Sequence, residues 1–280
     1  KNGNTLLDNL MDFYIKNQGF SHTINGGSNL MATEQAFYAL VAADRLEKGE
    51  DSLYGMSDPI NISDQTSGSA SGKGLVGKNP DVKFKPIILP GRTFDDISGV
   101  NAHKNLPAIE ALASRGIING MTENLFEPDA TMTRAEFATI VVNSLGLEPK
   151  ANNKFTDVLD DDWFSPYVGT ANSYGIVNGI SDTRFNPQGT ITKEEAVTMV
   201  ARAAKLCGMD TEMDSGAVRD VLAQFGDYMK TAEWARLSLA FSYQENILDD
   251  SEIEIQPNSN VLRSEVAQML FNMLGSANLL

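Results

Sequence analysis

Apolar residues recur at helical spacing along most of this chain. Near the start, Leu6, Leu7, Leu10, Met11 and Tyr14 form one stripe. That stripe predicts an amphipathic helix closed by Gln18-Gly19, because glycine commonly follows a helix C-terminus. A second helix is predicted from Thr33, with Phe37, Leu40, Val41 and Leu46 on its apolar face and a stop near Gly49. His22, in the turn between them, reads as a polar turn residue, since no partner stands at metal-ligand spacing. Two helices with an open apolar face cannot make a core alone. Residues 1–58 are therefore expected to end a larger helical domain.

The pattern then changes. Residues 59–93 read as a linker between domains. Ser63 to Gly77 is rich in Ser and Gly and has little to bury, a flexible composition. Lys83 to Pro90 follows as one short extended segment pinned between prolines.

From Phe94 the pattern repeats in triplicate. Phe94-Asp95-Asp96, Phe155-Thr156-Asp157 and Phe225-Gly226-Asp227 open the copies, at intervals of 61 and 70 residues. The longer interval holds an insertion, Met209 to Phe225, with a short helix around Ala217 to Ala223. Each opening leads to a helix: Leu106 to Ser114, Ser165 to Tyr174 and Glu233 to Tyr243. Gly116-Ile117-Ile118-Asn119-Gly120 and Gly175-Ile176-Val177-Asn178-Gly179 come next, whereas copy three has Asn246-Ile247-Leu248-Asp249-Asp250. A turn ending Phe126-Glu127-Pro128, Phe185-Asn186-Pro187 or Ile255-Gln256-Pro257 introduces the motif that opens the second helix.

That motif is Met132-Thr133-Arg134-Ala135-Glu136, then Ile191-Thr192-Lys193-Glu194-Glu195, then Val261-Leu262-Arg263-Ser264-Glu265. Thr-x-x-Glu is a capping box, so Thr133, Glu136, Thr192 and Glu195 are expected to start helices. Leu262 has no hydroxyl and breaks the pattern. The helices it opens are apolar at Phe137, Ile140, Val141 and Leu145, and at the matching Ala196, Met199, Val200 and Ala203, then Val266, Met269, Leu270 and Met273. The fold class is mainly α, with domains at 1–58, a linker at 59–93, and repeats at 94–150, 151–212 and 213–280.

Composition narrows the function. The net charge of −15 argues against a nucleic-acid binder and against docking on anionic membrane. No apolar run reaches the length of a membrane span. One cysteine, Cys207, leaves no internal disulfide, which fits a reducing compartment or export from a bacterium that uses few disulfides. The start, Lys1-Asn2-Gly3-Asn4, reads as the interior of a longer polypeptide. No nucleophile, metal cluster or paired carboxylates form a catalytic constellation, so the chain is not expected to be an enzyme or to need a cofactor. Asp160-Asp161-Asp162 lacks the alternating spacing of a calcium loop and reads as a solvated turn.

Phe-x-Asp, Trp, Gly-Ile-(Ile/Val)-Asn-Gly, Phe-x-Pro and Thr-Arg-Ala-Glu, recurring in this order, resemble the S-layer homology domain over roughly Phe94 to the C-terminus. The resemblance implies a pseudo-threefold helical assembly. It also implies non-covalent anchoring of an exported protein to a Gram-positive-type cell wall. The ligand it implies is a secondary cell-wall polysaccharide, often pyruvylated, held in grooves between repeats. Upstream, Asn17-Gln18-Gly19-Phe20 and Ala32-Thr33-Glu34-Gln35-Ala36 resemble the final unit of α/α-toroid domains of the terpenoid-cyclase and prenyltransferase-repeat type. That second likeness implies helical architecture and no activity.

The residue types fit such a ligand. Arg134, Lys193 and Arg263 stand at the first helical position, where the macrodipole disfavours a cation. A helix N-terminus attracts anions, and an arginine fork suits a carboxylate. These cations are therefore expected to meet the glycan's carboxylate. Trp163 and Trp234 occupy one repeat position, held by Lys104 in copy one. They fit either a core position or a flat wall for a sugar face. Asp96, Asp157 and Asp227 fit either sugar hydroxyls or local turn caps. Gly120 and Gly179 supply positive φ or close backbone approach. Copy three, lacking these glycines and the capping Thr, is expected to bind most weakly or to be purely structural, with the best site shared by copies one and two. The expected species is a monomer with internal threefold pseudosymmetry. Two other readings stay open: the tail of a toroid-type enzyme, and a self-associating S-layer lattice component.

Overall fold

The computed structural model describes residues 10–16, 19–21, 23, 32, 33, 36, 37, 39–41, 72–100, 102–249 and 251–280. The chain divides into two compact units, 1–68 and 69–280.

In the first unit, helix covers Leu10 and Met11 and then gives way to a hairpin. Strand β1 (Tyr14–Ile15) pairs antiparallel with β2 (Gly19–Phe20), Tyr14 opposite Phe20. The helical stripe expected to run through Tyr14 is thus cut short. Tyr14 and Phe20 have their ring centroids 5.4 Å apart, a cross-strand aromatic pair that favours extended backbone over another helical turn. The Phe20 N–H donates to Thr33 Oγ1 at 2.9 Å, tying the hairpin to the second predicted helix. Described residues between 32 and 41 are helical, with Ala36 buried and Phe37 62% exposed, so Phe37 is off the packed face expected for it. Leu6, Leu7, His22, Leu46 and part of both stretches that carry the toroid likeness lie outside the described residues.

The second unit is helical: α1 (Leu106–Ala113), α2 (Arg134–Ser144), α3 (Ser165–Ser173), α4 (Lys193–Leu206), α5 (Ser215–Leu222), α6 (Glu233–Gln244) and α7 (Arg263–Ser276). The motif helices α2, α4 and α7 pack on one another around a pseudo-threefold axis. Each repeat's first helix packs on the motif helix of the preceding repeat: α3 on α2, α6 on α4, and α1 on α7. The sequence repeat is therefore not the packing unit. Residues at the beginning and end of the module close the same ring. The core runs through all three copies, from Phe94 and Phe137 to Phe241 and Leu274. Helix α5, inside the insertion, packs on α6.

Three isolated antiparallel bridges mark the seams, Thr133 with Thr190, Thr192 with Asn260, and Thr131 with Leu262. At each seam the first two N–H groups of a motif helix donate to carbonyls of the next repeat's turn. Arg134 and Ala135 donate to Gly189 and Pro187, Lys193 and Glu194 to Ser259 and Pro257, and Arg263 and Ser264 to Ala130 and Pro128, at 2.9–3.0 Å. Helix N-termini leave such donors without intrahelical partners, and here the ring consumes them.

Residues 72–93, expected to be linker, pack on this module. Gly72 and Gly74 N–H donate to Asn278 O, Asn79 N–H to Leu206 O, and Lys83 N–H to Leu145 O. The segment thus crosses the C-terminal ends of all three motif helices and caps their free carbonyls, with Val82 buried beneath it. Gly146 and Gly208, both at positive φ, permit the approach: a Cβ would lie 2.7 Å from Lys83 O and 2.8 Å from Lys78 N.

Candidate glycan site at the repeat seams

The capping motif behaves as its pattern predicts. Glu136 N–H donates to Thr133 Oγ1 at 3.2 Å, and Thr133 N–H donates to Glu136 Oε2 at 2.8 Å. Thr192 N–H donates to Glu195 Oε2 at 3.0 Å. Copy three keeps the half that needs no hydroxyl: Leu262 N–H donates to Glu265 Oε2 at 2.7 Å.

The arginines differ from expectation. Arg134 is 6% exposed; its Nε donates to Phe185 O at 2.9 Å and a terminal nitrogen meets Glu195 Oε1 at 2.6 Å. Arg263 is 5% exposed and donates to Phe126 O and Asn119 O, at 2.9 and 2.6 Å. Each guanidinium also lies over a phenylalanine ring, at 5.1 Å for Phe185 and 4.7 Å for Phe126. They staple one repeat to the next, and the helix N–H groups beside them are already bonded. This explains a cation at the unfavourable end of a helix, since its partners are carbonyls and a carboxylate of the neighbouring repeat. Burial lowers the Arg263 pKa, opposed by Glu136, Glu127 and Asp96.

The Phe-x-Asp carboxylates are turn caps. Asp96 accepts from Phe126 and Glu127 N–H, Asp157 from Phe185 and Asn186, and Asp227 from Ile255 and Gln256. Glu127, Asn186 and Gln256 all have positive φ, of 54–60°, so each carboxylate holds a turn that ordinary residues resist. These turns present the carbonyls of Phe126 and Phe185 to the arginines. Burial pushes the Asp157 carboxyl up, but the N–H groups of Phe185 and Asn186, with Arg184, outweigh it and hold the pKa below the usual value.

Gly120 and Gly179 serve close approach. A Cβ on either would lie 2.5–2.6 Å from Cε1 of Phe94 or Phe155. Only Gly179 has positive φ. Asp162 Oδ2 accepts from Leu159 N–H, closing a turn ahead of α3 within the acidic run.

Trp163 and Trp234 are 60% and 56% exposed, which removes the core reading for both. Trp163 is braced edge-on against Phe164.

Lys193 stands apart from the arginines. It is half-buried, and among the described residues its side chain makes no hydrogen bond or ion pair. It lines a cavity of about 500 Å³ together with Lys104 and Asn105 of repeat one and Asn246 to Asp249, Glu252, Glu265, Gln268 and Asn272 of repeat three. Repeat three, expected to be the weakest copy, thus forms most of the wall. Asn272 Nδ2 donates to Asn246 O and Ile247 O and fixes that wall. Asn105 donates to Ser264 O and seats the start of α1 against α7. Ser251 hydrogen bonds, together with Lys104 and Lys193, lower the Asp249 pKa. The cavity brings together two ammonium groups, three carboxylates and three side-chain amides besides Asn105, a lining suited to a polyhydroxylated ligand with a charged substituent. Sequence spacing alone could not find it, because its walls come from three repeats.

The S-layer homology domain model matches residues 93–138 and 154–197. Exoglucanase XynX of Acetivibrio thermocellus is 30% identical over 223 residues, 79% of this chain and 19% of that protein. Surface layer protein of Brevibacillus choshinensis is 43% identical over 105 residues, 36% of this chain and 9% of that protein. S-layer protein sap of Bacillus anthracis is 25% identical over 187 residues, 66% and 22%. The chain spans less than a quarter of the length of these relatives. Residues 213–280, outside the matched segments, repeat the same turn cap, staple and motif helix. The chain carries S-layer homology domains, cell-wall anchoring modules of the bacterial surface.

Proposed function

We propose that residues 72–280 bind an anionic secondary cell-wall polysaccharide, with a pyruvylated sugar in the cavity bounded by repeats three and one and by Lys193. The observation that carries this reading is the convergence of Lys104 and Lys193 on one cavity of about 500 Å³ at a seam. In the free protein Asp249 feels both lysines through space, with no direct ion pair to either among the described residues. A pyruvyl carboxylate supplies that direct partner, while Gln268 and Asn272 face the sugar hydroxyls. Trp163 and Trp234 offer flat, exposed faces on which further sugars of the polymer stack. Arg134, Arg263, Asp96, Asp157, Asp227, Gly120 and Gly179 act indirectly, by holding the ring that forms the cavity. The module functions as a monomer, since its threefold ring closes within one chain. Anchoring by this route serves a longer protein without catalysis by the module itself.

The test compares binding of the 280-residue chain and its Lys104→Ala/Lys193→Ala variant to purified wall polysaccharide. Loss of two charge-assisted contacts weakens binding by roughly 100-fold or more. Undiminished binding by the variant contradicts the assignment.

A further inference from the structure

The three seams are built alike, yet an arginine lies buried across two of them and a lysine lines a cavity at the third. The side chain at the first position of the motif helix tracks the difference. Arg134 and Arg263 lie buried across their seams. Each donates Nε to the carbonyl of the residue before the positive-φ turn position, Phe185 or Phe126, and covers that residue's ring. At the remaining seam both halves of this arrangement change together. Lysine stands at 193 in place of arginine, and Ile255 stands where the other seams have phenylalanine. Lysine has no planar fork for a carbonyl and a carboxylate at once, and isoleucine offers no π face. The cavity of about 500 Å³ lies at this seam.

We infer that Lys193 and Ile255 together keep the seam between repeats two and three open, making it the ligand-binding seam in preference to the two closed by arginine. The inference rests on the glycan reading above and deepens it. It makes position 193 a selector: lysine leaves room and a free ammonium, whereas arginine closes the seam upon itself. An arginine at 193 has Ile255 O and Glu265 in front of it, the counterparts of Phe185 O and Glu195. It would spend its charge there, where the ligand's carboxylate would otherwise sit. The chain therefore binds one equivalent of glycan repeat, although it has three repeats.

The experiment uses the 280-residue chain as wild type, Lys193→Arg and Lys193→Arg/Ile255→Phe, with purified pyruvylated wall glycan as probe. Binding is followed by calorimetric titration and fold integrity by thermal unfolding. The expected result is one equivalent bound by wild type. Both variants should lose at least about tenfold in affinity while keeping or raising the melting temperature. Lys193→Arg retains the positive charge, so a role for charge alone would leave its binding intact. Wild-type affinity in a folded Lys193→Arg/Ile255→Phe variant overturns the selector while leaving the glycan reading standing. Failure of both variants to fold also overturns it, since an arginine accepted at two seams is then refused at the third. Absence of binding by wild type overturns the glycan reading itself, and the selector with it.

Discussion

Arg134 and Glu195 meet at 2.6 Å across the seam between the first two repeats, and each also serves its own helix start. Arg134 is the first residue of α2. Glu195 accepts the Thr192 N–H that opens α4. One ion pair thus couples the beginnings of two motif helices, and replacing Arg134 disturbs both.

Arg134→Ala should leave Phe185 O and Glu195 Oε1 without the donor they share in a largely buried seam, at a cost on the order of 3 kcal/mol. For a module of this size that lowers the melting temperature by roughly 6–12 °C in a calorimetric scan. Arg263→Ala should behave alike. Lys193→Ala should not, because its side chain has no bonded partner among the described residues. A melting temperature unchanged in both arginine variants would refute the staple.

Acid should weaken the ring through Asp157. Its folded pKa lies below the ordinary carboxylate value, so its stabilising contribution is present above the unfolded pKa of about 4. That contribution is lost as pH falls through the folded pKa. Asp157→Asn removes one acceptor oxygen facing the N–H groups of Phe185 and Asn186, at a cost of about 1–2 kcal/mol at neutral pH. It should also reduce the fall in stability as pH drops below about 4. Equal acid slopes for wild type and variant in urea unfolding would contradict the assignment.

The segment from 72 to 93 should count as part of the module. Gly146→Ala places a Cβ 2.7 Å from Lys83 O at a positive φ, with an expected loss of about 1–3 kcal/mol. A chain beginning at residue 94 should lose more, since Val82 leaves the core and three helix ends lose their caps. Hydrogen exchange at Leu147, next to the capped end of α2, should accelerate in that truncated chain. Unchanged exchange would assign the segment to the linker after all.

Trp163 separates binding from stability. It is 60% exposed, so Trp163→Ala should shift unfolding by less than about 0.5 kcal/mol. Affinity for wall polysaccharide should fall several-fold in the same variant. A large loss of stability with unchanged affinity would return the indole to a structural role.

What the sequence disclosed and what it hid follow from the range of the interactions. The capping boxes, the Phe-x-Asp openings and the insertion helix are legible because their partners lie within a few residues or recur three times. The arginine staples were not, because their acceptors are backbone carbonyls 51 and 137 residues away, and a carbonyl carries no sequence signature. The Ser/Gly-rich composition signalled a flexible segment, but at its described end the N–H groups of Gly72 and Gly74 bond beyond the end of a motif helix. Tyr14 fitted a helical stripe as well as a strand, and the cross-strand ring of Phe20 decided between them. One clue to the open seam did stand in the repeat register: Lys193 and Ile255 depart from Arg and Phe at positions that meet only in the folded ring.

The central claim is that a carboxylate on the wall glycan is met by Lys104 and Lys193. Its most direct test is a titration of the 280-residue chain with wall polysaccharide before and after removal of the pyruvyl group. The account predicts one site, an affinity at least about tenfold higher for the pyruvylated polymer, and no such difference in the Lys104→Ala/Lys193→Ala variant. Equal affinity of the wild-type chain for both polymers would contradict it.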